Sequence, residues 1–372
     1  MLSDLLGIRV IMLIGDTVPL PASASVMNAL EEIEVTNDAD HGQGFRMTFR
    51  LSRGPLLDYE LVQSGTLAPN KRVVIGVAFG VVPEVLIDGI VTHHQVQPSN
   101  DPGRATLTVM GSDLSVVMSY EEKNAQYPNQ PDFLIFTRII GGYARYGLVP
   151  TPTPTPDLPI ELERVPRQQE TDLAFINRMA ERNGYVFYIK PVTIGVNLAV
   201  FGPELRVGLP QPALTIGMGS ATNVESLNFA QDAMAAVGTA GTFVDPILKM
   251  SWPIPTLPPL RVPPLALFPA ATNRTRLVRE TAKQNPGTAA VSALAGATNA
   301  PDAVTATGTL DAARYGHALR VRELVGVRGA GLSYDGLYYV RRVSHSIKVG
   351  HYTQSFSISR EGIGPTVPVV LP

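Results

Sequence analysis

The chain has 372 residues, a net charge of −2, charged residues at 17% and no cysteine. Its length suggests two or three domains. Its charge balance excludes a global field that would steer it to nucleic acid, and the lack of thiols excludes disulfides and thiolate metal sites. A mean hydropathy of +0.11 is apolar for a lone soluble chain. No apolar run reaches the ~20 residues of a spanning helix: Val73–Val82 and Leu5–Ile14 are the longest candidates. Burial in an assembly is the remaining way to cover such a surface. Met1-Leu2-Ser3-Asp4 lacks a basic signal-peptide start, so synthesis and folding in the cytoplasm are expected.

Residues 1–14 read as an N-terminal segment and 15–112 as a first β domain. Gly44–Ser52 alternates Phe45, Met47, Phe49 and Leu51 with Arg46, Thr48, Arg50 and Ser52, the period of a half-buried strand. Val73–Phe79 and Val85–His94 are β-branched runs. Asn100-Asp101-Pro102-Gly103 turns into the alternating Ala105–Val109. Residues 113–212 form a middle region of helix and strand. Phe133, Phe136, Ile139, Ile140 and Tyr143 follow Asp132, the predicted N-cap, at helical spacing, and Gly147 sits at a helix end. Residues 150–159 alternate Thr and Pro and predict a stiff extended linker. A second helix is predicted over Asp172–Asn183, then strands at Tyr185–Ile189 and Asn197–Phe201. A second β domain is expected in two pieces, 213–230 and 310–362, split by a Pro/Ala-rich insertion at 231–309 that wraps a neighbour. Residues 363–372 form a C-terminal tail.

No catalytic, cofactor-binding or metal-ligating set emerges. His93 and His94 point to opposite faces of a strand. His345 and His351 flank the Gly350 turn but lack further ligands. Gly65-Thr66-Leu67-Ala68-Pro69-Asn70-Lys71 has no second glycine and carries Arg72 where a phosphate loop needs Ser or Thr. Gly326-Val327-Arg328-Gly329-Ala330-Gly331 reads as a turn between strands. Glu31-Glu32 and Glu121-Glu122 diverge and cannot form a glycosidase dyad. Residues 310–362 carry Arg314, Arg320, Arg322, Arg328, Arg341, Arg342, Lys348 and Arg360 against Asp311, Glu323, Asp335 and Glu361. That surplus reads as a solvated face or as a surface for an acidic neighbour.

Three stretches, in order, resemble the hub proteins of contractile tails: phage late control protein D, the gp27-like hub and the hub portion of VgrG-type spike proteins. The first is Gly111-Ser112-Asp113-Leu114-Ser115 with Tyr146-Gly147-Leu148-Val149-Pro150. The second is Asp172, Leu173, Phe175, Ile176, Arg178, Ala180, Glu181, Gly184, Tyr185, Phe187 and Tyr188. The third is Tyr334, Asp335, Gly336, Tyr338 or Tyr339, Val340, Val343 and His345, with Tyr352, Phe356 and Arg360 on a returning strand. The resemblance implies an α+β, mainly β chain with two tube-type β-barrel domains and no fused spike domain. It implies a non-enzymatic homotrimer whose paired domains form a pseudo-sixfold ring. The ring would have an inner tube or tube-initiator protein above, a spike protein below and baseplate wedge proteins around it, in a phage tail or injection-system particle. A β-rich carbohydrate-binding protein or hydrolase is the alternative, which would need converging acids or aromatics in a cleft.

Overall fold

A computed structural model describes residues 7–53, 58–80, 82–101, 103–155, 159, 165–244, 250–257, 263–277 and 301–367. The chain is mainly β. Its first part supplies β1 (Ile8–Gly15), β2 (Leu20–Pro21), β3 (Leu30–Asp38), β4 (Gly42–Arg50), β5 (Arg72–Phe79), β6 (Val82–Gln97) and β7 (Thr106–Asp113). Its middle supplies β8 (Glu122–Gln126), β9 (Leu148–Pro152), β10 (Arg167–Thr171), β11 (Val186–Thr193) and β12 (Val196–Gly202). Then come β13 (Gln211–Thr215), β14 (Val224–Gln231), β15 (Val237–Val244), β16 (Ser251–Leu257), β17 (Ala266–Pro269) and β18 (Arg274–Leu277). The last are β19 (Val304–Asp311), β20 (Leu324–Arg328), β21 (Gly336–Lys348), β22 (His351–Arg360) and β23 (Gly362–Pro365).

Thirteen of these strands hydrogen-bond into one sheet, and its two ends repeat one plan. The first end lies in the order β3-β4-β7-β6-β5-β1, the second in the order β14-β19-β22-β21-β20-β13. Position for position the orders are the same, and a short helix follows the second strand of each order in the chain: Glu60–Gln63 between β4 and β5, Ala312–Tyr315 between β19 and β20. The irregularities repeat too. The register shifts between Leu30 and Glu32 on β3 and between Val224 and Ser226 on β14. It shifts between Val91 and His93 on β6 and between Val340 and Arg342 on β21. Asn70 and Arg322 both take left-handed backbone, at φ 69° and 66°. Each donates its N–H to the residue before the bulge, Val91 or Val340, whose own N–H goes to Lys71 or Glu323. Asp38 and Asp232 accept, at 2.8 Å, from the N–H two residues on. The plans depart in direction at one end: β1 is antiparallel to β5, whereas β13 is parallel to β20.

β21 joins the two halves by forking. Its residues 336–339 pair with β20 and its residues 342–348 pair with β3, from Arg342 opposite Asp38 to Lys348 opposite Glu32. The cores interlock there. Ala312, Ala318, Ile347 and Tyr352 of the second half pack into the core built on Ile33, Val35, Met47, Phe49 and Ile75. Apolar residues at every second position put one face of each strand into this core, as the alternation of 45–51 predicts.

The middle region has its own core, in which Phe136, Ile140, Phe175, Ile176, Met179 and Phe201 meet Ile90 of β6. Its helices span Asp132–Gly141 and Asp172–Asn183, the second as predicted. Pro131, not Asp132, is the N-cap of the first. Gly147 ends a separate 3₁₀ turn in left-handed backbone, and Gly184 ends the second helix in the same way.

Several elements differ from the sequence reading. The sheet begins at Ile8, within the stretch read as an N-terminal segment. Residues 150–152 of the expected linker belong to an edge strand, β9, parallel to β12. An edge strand needs donors on one side only, so Pro150 and Pro152 are tolerated. The expected insertion is not foreign to the sheet: Val304–Asp311 is a full strand between β14 and β22. Within it β15, β16 and β18 form a small sheet, and β17 pairs with β23 of the tail. The Ala/Gly/Thr-rich residues 284–300 lie outside the described residues. No helix among the described residues is long and apolar enough to cross a membrane.

Candidate functional site: the polar face and open edges of the sheet

The face of the long sheet away from its cores is built by the same alternation, and it is hydroxyl-rich. Thr48 of β4 stands opposite Thr108 of β7, which stands opposite Gln95 of β6. Across the junction Thr36 meets Ser344, with hydroxyl oxygens 3.1 Å apart. Ser344 faces Ser355, Ser355 faces Thr309, and Thr309 bonds Ser226 at 2.8 Å. Its charges stand opposite one another in register: Lys348 against Glu32, Arg342 against Asp38, Arg46 against Glu34. The first two approach to 3.0 and 3.9 Å. Such a surface offers no strong field of either sign and few apolar anchors. Over the second half lies an open concavity lined in part by Ser226, Asn228 and Ser344 and by the opposed charges of Asp38, Asp40 and Arg342.

The sheet ends in unequal edges. Ile33 and Val35 on β3 are fully buried because β21 covers them. Their counterparts on β14, Leu227 and Phe229, are only half-buried, since β14 pairs with β19 alone. Likewise β5 and its lead-in cover one side of β6 only as far as Val91.

The motif residues of the sequence reading are structural. Asp172 accepts from Lys123 at 2.5 Å, Tyr143 at 2.7 Å and Gln168 at 2.6 Å, tying its helix to the middle region. That carboxylate and burial push the Tyr143 hydroxyl above its ordinary range, burial first. Asp335 accepts from the Ala330 N–H at 2.8 Å, and buried Arg360 donates to the carbonyls of Asp335 and Ser333 at 2.9 and 2.6 Å. Its guanidinium lies over the Tyr338 ring. These bonds fix the 329–335 loop against β21 and β22, which accounts for the Asp-Gly-x-Tyr and terminal Arg pattern without chemistry.

A cavity of about 340 Å³ lies where the two halves and the middle region meet, lined in part by Asn37, Asp113, Tyr188, Arg320 and His345. His345 is buried with Nδ1 2.9 Å from the Tyr352 hydroxyl. Burial, aided by the Arg320 charge, holds its pKa down at about 3, so the imidazole is neutral. Burial raises the Asp113 carboxyl despite its bonds to Ser115. His351 is exposed across the hairpin, opposite Lys348. His93 is exposed, and His94 is half-buried beside it. Among the described residues no group of three or more His, Asp or Glu could hold a metal ion.

Part of the Arg surplus of 310–362 is spent inside the chain. Arg320 reaches Glu84 at 3.5 Å, Arg322 and Arg341 reach Glu204 at 3.2 Å, and Arg341 reaches Asp40 at 2.5 Å. The acids come from the first half and the middle region, so this part of the surplus is the second half's share of its internal contacts. Sequence reasoning missed the buried pair Arg72–Asp88, bidentate at 2.8 and 2.6 Å. Arg72 also donates to the Tyr146 carbonyl, and Asn197 donates to Asp88. This knot fastens the middle region to the sheet, and adjacent β strands carrying one Arg and one Asp were its sole trace.

Residues 24–222 match the model of the family described as Alg8 N-terminal domain. The chain belongs to the Alg8 N-terminal domain family. No curated protein matches it. Among solved structures, this family member shares the fold of the tail protein from Neisseria meningitidis MC58, at 14% identity and a TM-score of 0.61 over 96% of this chain and 98% of that one. The 43 kDa tail protein of prophage MuSo2 from Shewanella oneidensis follows, at 12% identity and 0.60 over 95% and 99%. The E. coli c3393 protein matches at 12% identity and 0.56 over 92% and 77%. It is described as a component of the type VI secretion system with structural similarity to T4 bacteriophage tail proteins gp27 and gp5. The Alg8 N-terminal family member thus has the contractile-tail hub fold.

Proposed function

We propose that this chain is the structural hub of a contractile tail or phage-derived injection system. It works as a homotrimer that adapts a sixfold inner tube to a threefold spike, with wedge proteins around it, and it performs no catalysis. The observation that carries this reading is the duplication. Each chain brings two halves of one strand order, side by side in one sheet. Three such chains supply six near-equivalent staves and keep true threefold symmetry for a partner below. On this reading the tube-type domains are residues 8–113 and the composite of 211–231 with 304–360. The hydroxyl-rich, charge-balanced face lines the channel, where a wall without strong field or apolar patches lets cargo pass without adhering. The middle region decorates the outside. The apolar composition fits subunit burial.

The test is the mass and shape of the purified protein. Light scattering on a size-exclusion column should give three times the chain mass, and averaged electron micrographs should show a ring of six lobes around a hole. A stable monomer at micromolar concentration would overturn the reading.

A further inference from the structure

The ring proposed above leaves open which edges meet, and the duplicated plan answers it. β14 is the last strand of its end of the sheet. Residues 92–97 of β6 pair with β7 on one side and with no strand on the other, among the described residues. In the repeat, β14 corresponds to β3, because their bulges coincide, which sets Leu227 on Ile33 and Phe229 on Val35. The outer half of β6 corresponds to the outer half of β21, because the bulge and the left-handed residue coincide, which sets Gln95 on Ser344 and Val96 on His345. β3 and the outer half of β21 are paired. Their counterparts are both open.

We propose that β14 of one copy pairs antiparallel with residues 94–97 of β6 in the next copy, in the register carried over from the internal junction. This rests on the hub reading. Gln95 then faces Ala230, Val96 faces Phe229, and Gln97 faces Asn228. The bonding phase agrees on both sides. Ala39 donates to the Arg341 carbonyl, so Val343 and His345 aim their backbone groups at β3, and His94 and Val96 aim theirs at the open edge. Asp232 donates to the Ala303 carbonyl, so Gln231 and Phe229 aim theirs away from β19. Pro98 stands where Ile347 stands in β21, and its missing N–H ends the ladder. The half-exposed Leu227 and Phe229 are covered, as Ile33 and Val35 are. The contact is head-to-tail, so it generates a ring if the rotation closes.

Because the chain has no cysteine, a disulfide reads the register directly. Gln95 and Ala230 are exposed and would form a non-hydrogen-bonded pair with Cα atoms about 4.5 Å apart, within disulfide reach. The variant carrying Gln95→Cys with Ala230→Cys should, on mild oxidation, convert most chains into a covalent trimer that reduction reverses. Gln97→Cys with Asn228→Cys should do the same. Gln95→Cys with Phe229→Cys, which puts the thiols on opposite faces, should cross-link at least tenfold less. A particle of trimeric mass in which neither matched pair cross-links, or the mismatched pair does so equally, would overturn this register and leave the ring standing. A monomeric mass would overturn both.

Discussion

Ile33 and Leu227 occupy the same position in the two halves and offer four-carbon side chains of equal volume, so truncating each to Ala compares a covered edge with an open one. Ile33 is fully buried against Ile347 and the first core. Removing three of its carbons costs transfer energy plus a cavity, about 3 kcal/mol within the 2–5 kcal/mol range for such sites. Leu227 is half-buried in the lone chain, so less apolar area is lost and water fills the gap. The cost falls to about 1 kcal/mol. Urea unfolding followed by circular dichroism, at a dilution where the chain is monomeric, should show the larger fall in midpoint for Ile33→Ala at unchanged slope. At assembly concentration the order changes: Leu227→Ala should weaken association about tenfold per contact surface, as 1.4 kcal/mol is a factor of ten. Equal losses in the monomer, or association untouched by Leu227→Ala, would refute the claim that one plan holds two differently covered edges.

Asp88→Ala strips the carboxylate from buried Arg72. A buried charge without its partner costs about 3–5 kcal/mol, so the thermal midpoint should drop by several degrees and proteolysis should open the middle region. Gly111→Ala would put a Cβ 2.3 Å from the Ile90 carbonyl oxygen and 2.4 Å from the Phe45 ring, an overpacking of about 1–3 kcal/mol that an unfolding titration would show. His345 makes stability fall in acid. Its folded pKa, about 3, lies below the ordinary value near 6.5. Below pH 6.5 the unfolded chain takes up a proton that the fold refuses, so its contribution is whole above that pH and is lost as pH falls toward 3. At pH 5 the loss is about 2 kcal/mol. The difference in unfolding free energy between pH 7 and pH 5, from urea titrations, should shrink by that amount in His345→Gln, and an unchanged difference would show that the imidazole is not buried and neutral.

The sequence carried the individual elements better than their arrangement. The 45–51 alternation, the 172–183 helix with its terminal Gly184 and the β21–β22 hairpin were legible because each is set by local period or turn chemistry. The strand at 304–311 was not, since its inward residues include Ala306 and Gly308, which read as filler. Gly308 is small for a reason: the Phe356 ring lies where its Cβ would stand. Pro150 and Pro152 looked like a linker because nothing local marks an edge position. The Arg surplus looked like a surface because the acids that answer it, Glu84, Glu204, Asp38 and Asp40, lie more than a hundred residues away. The duplication, expected from the resemblance, leaves no repeat of residues for a further reason. It survives in backbone irregularities, two bulges and the left-handed Asn70 and Arg322, and these fall on unlike residues.

Those unlike residues bear on how two similar junctions avoid being exchanged. The internal junction is charged: Lys348 meets Glu32 and Arg342 meets Asp38 across it. At the positions that match Arg342, Asp38 and Glu32 the edges proposed to meet between copies carry His93, Asp232 and Ser226, so the Lys348–Glu32 pair has no counterpart there. If β14 were to settle on the outer half of β21, Ser226 would replace Glu32 opposite Lys348 and leave its ammonium without a carboxylate. If β3 were to settle on β6 of another copy, Glu32 would lose Lys348 and Asp38 would lose Arg342, and Glu34 would lie opposite Gln97. The first exchange loses the Lys348–Glu32 pair, with Asp232 standing in for Asp38, and the second loses both pairs, a penalty of a few tenths of a kcal/mol to about 1 kcal/mol per exposed pair. The tether between halves adds the advantage of high effective concentration. Specificity is a difference between pairings, and here the tethered junction holds the two ion pairs, so the edges with fewer paired charges are the ones left free to reach a second copy.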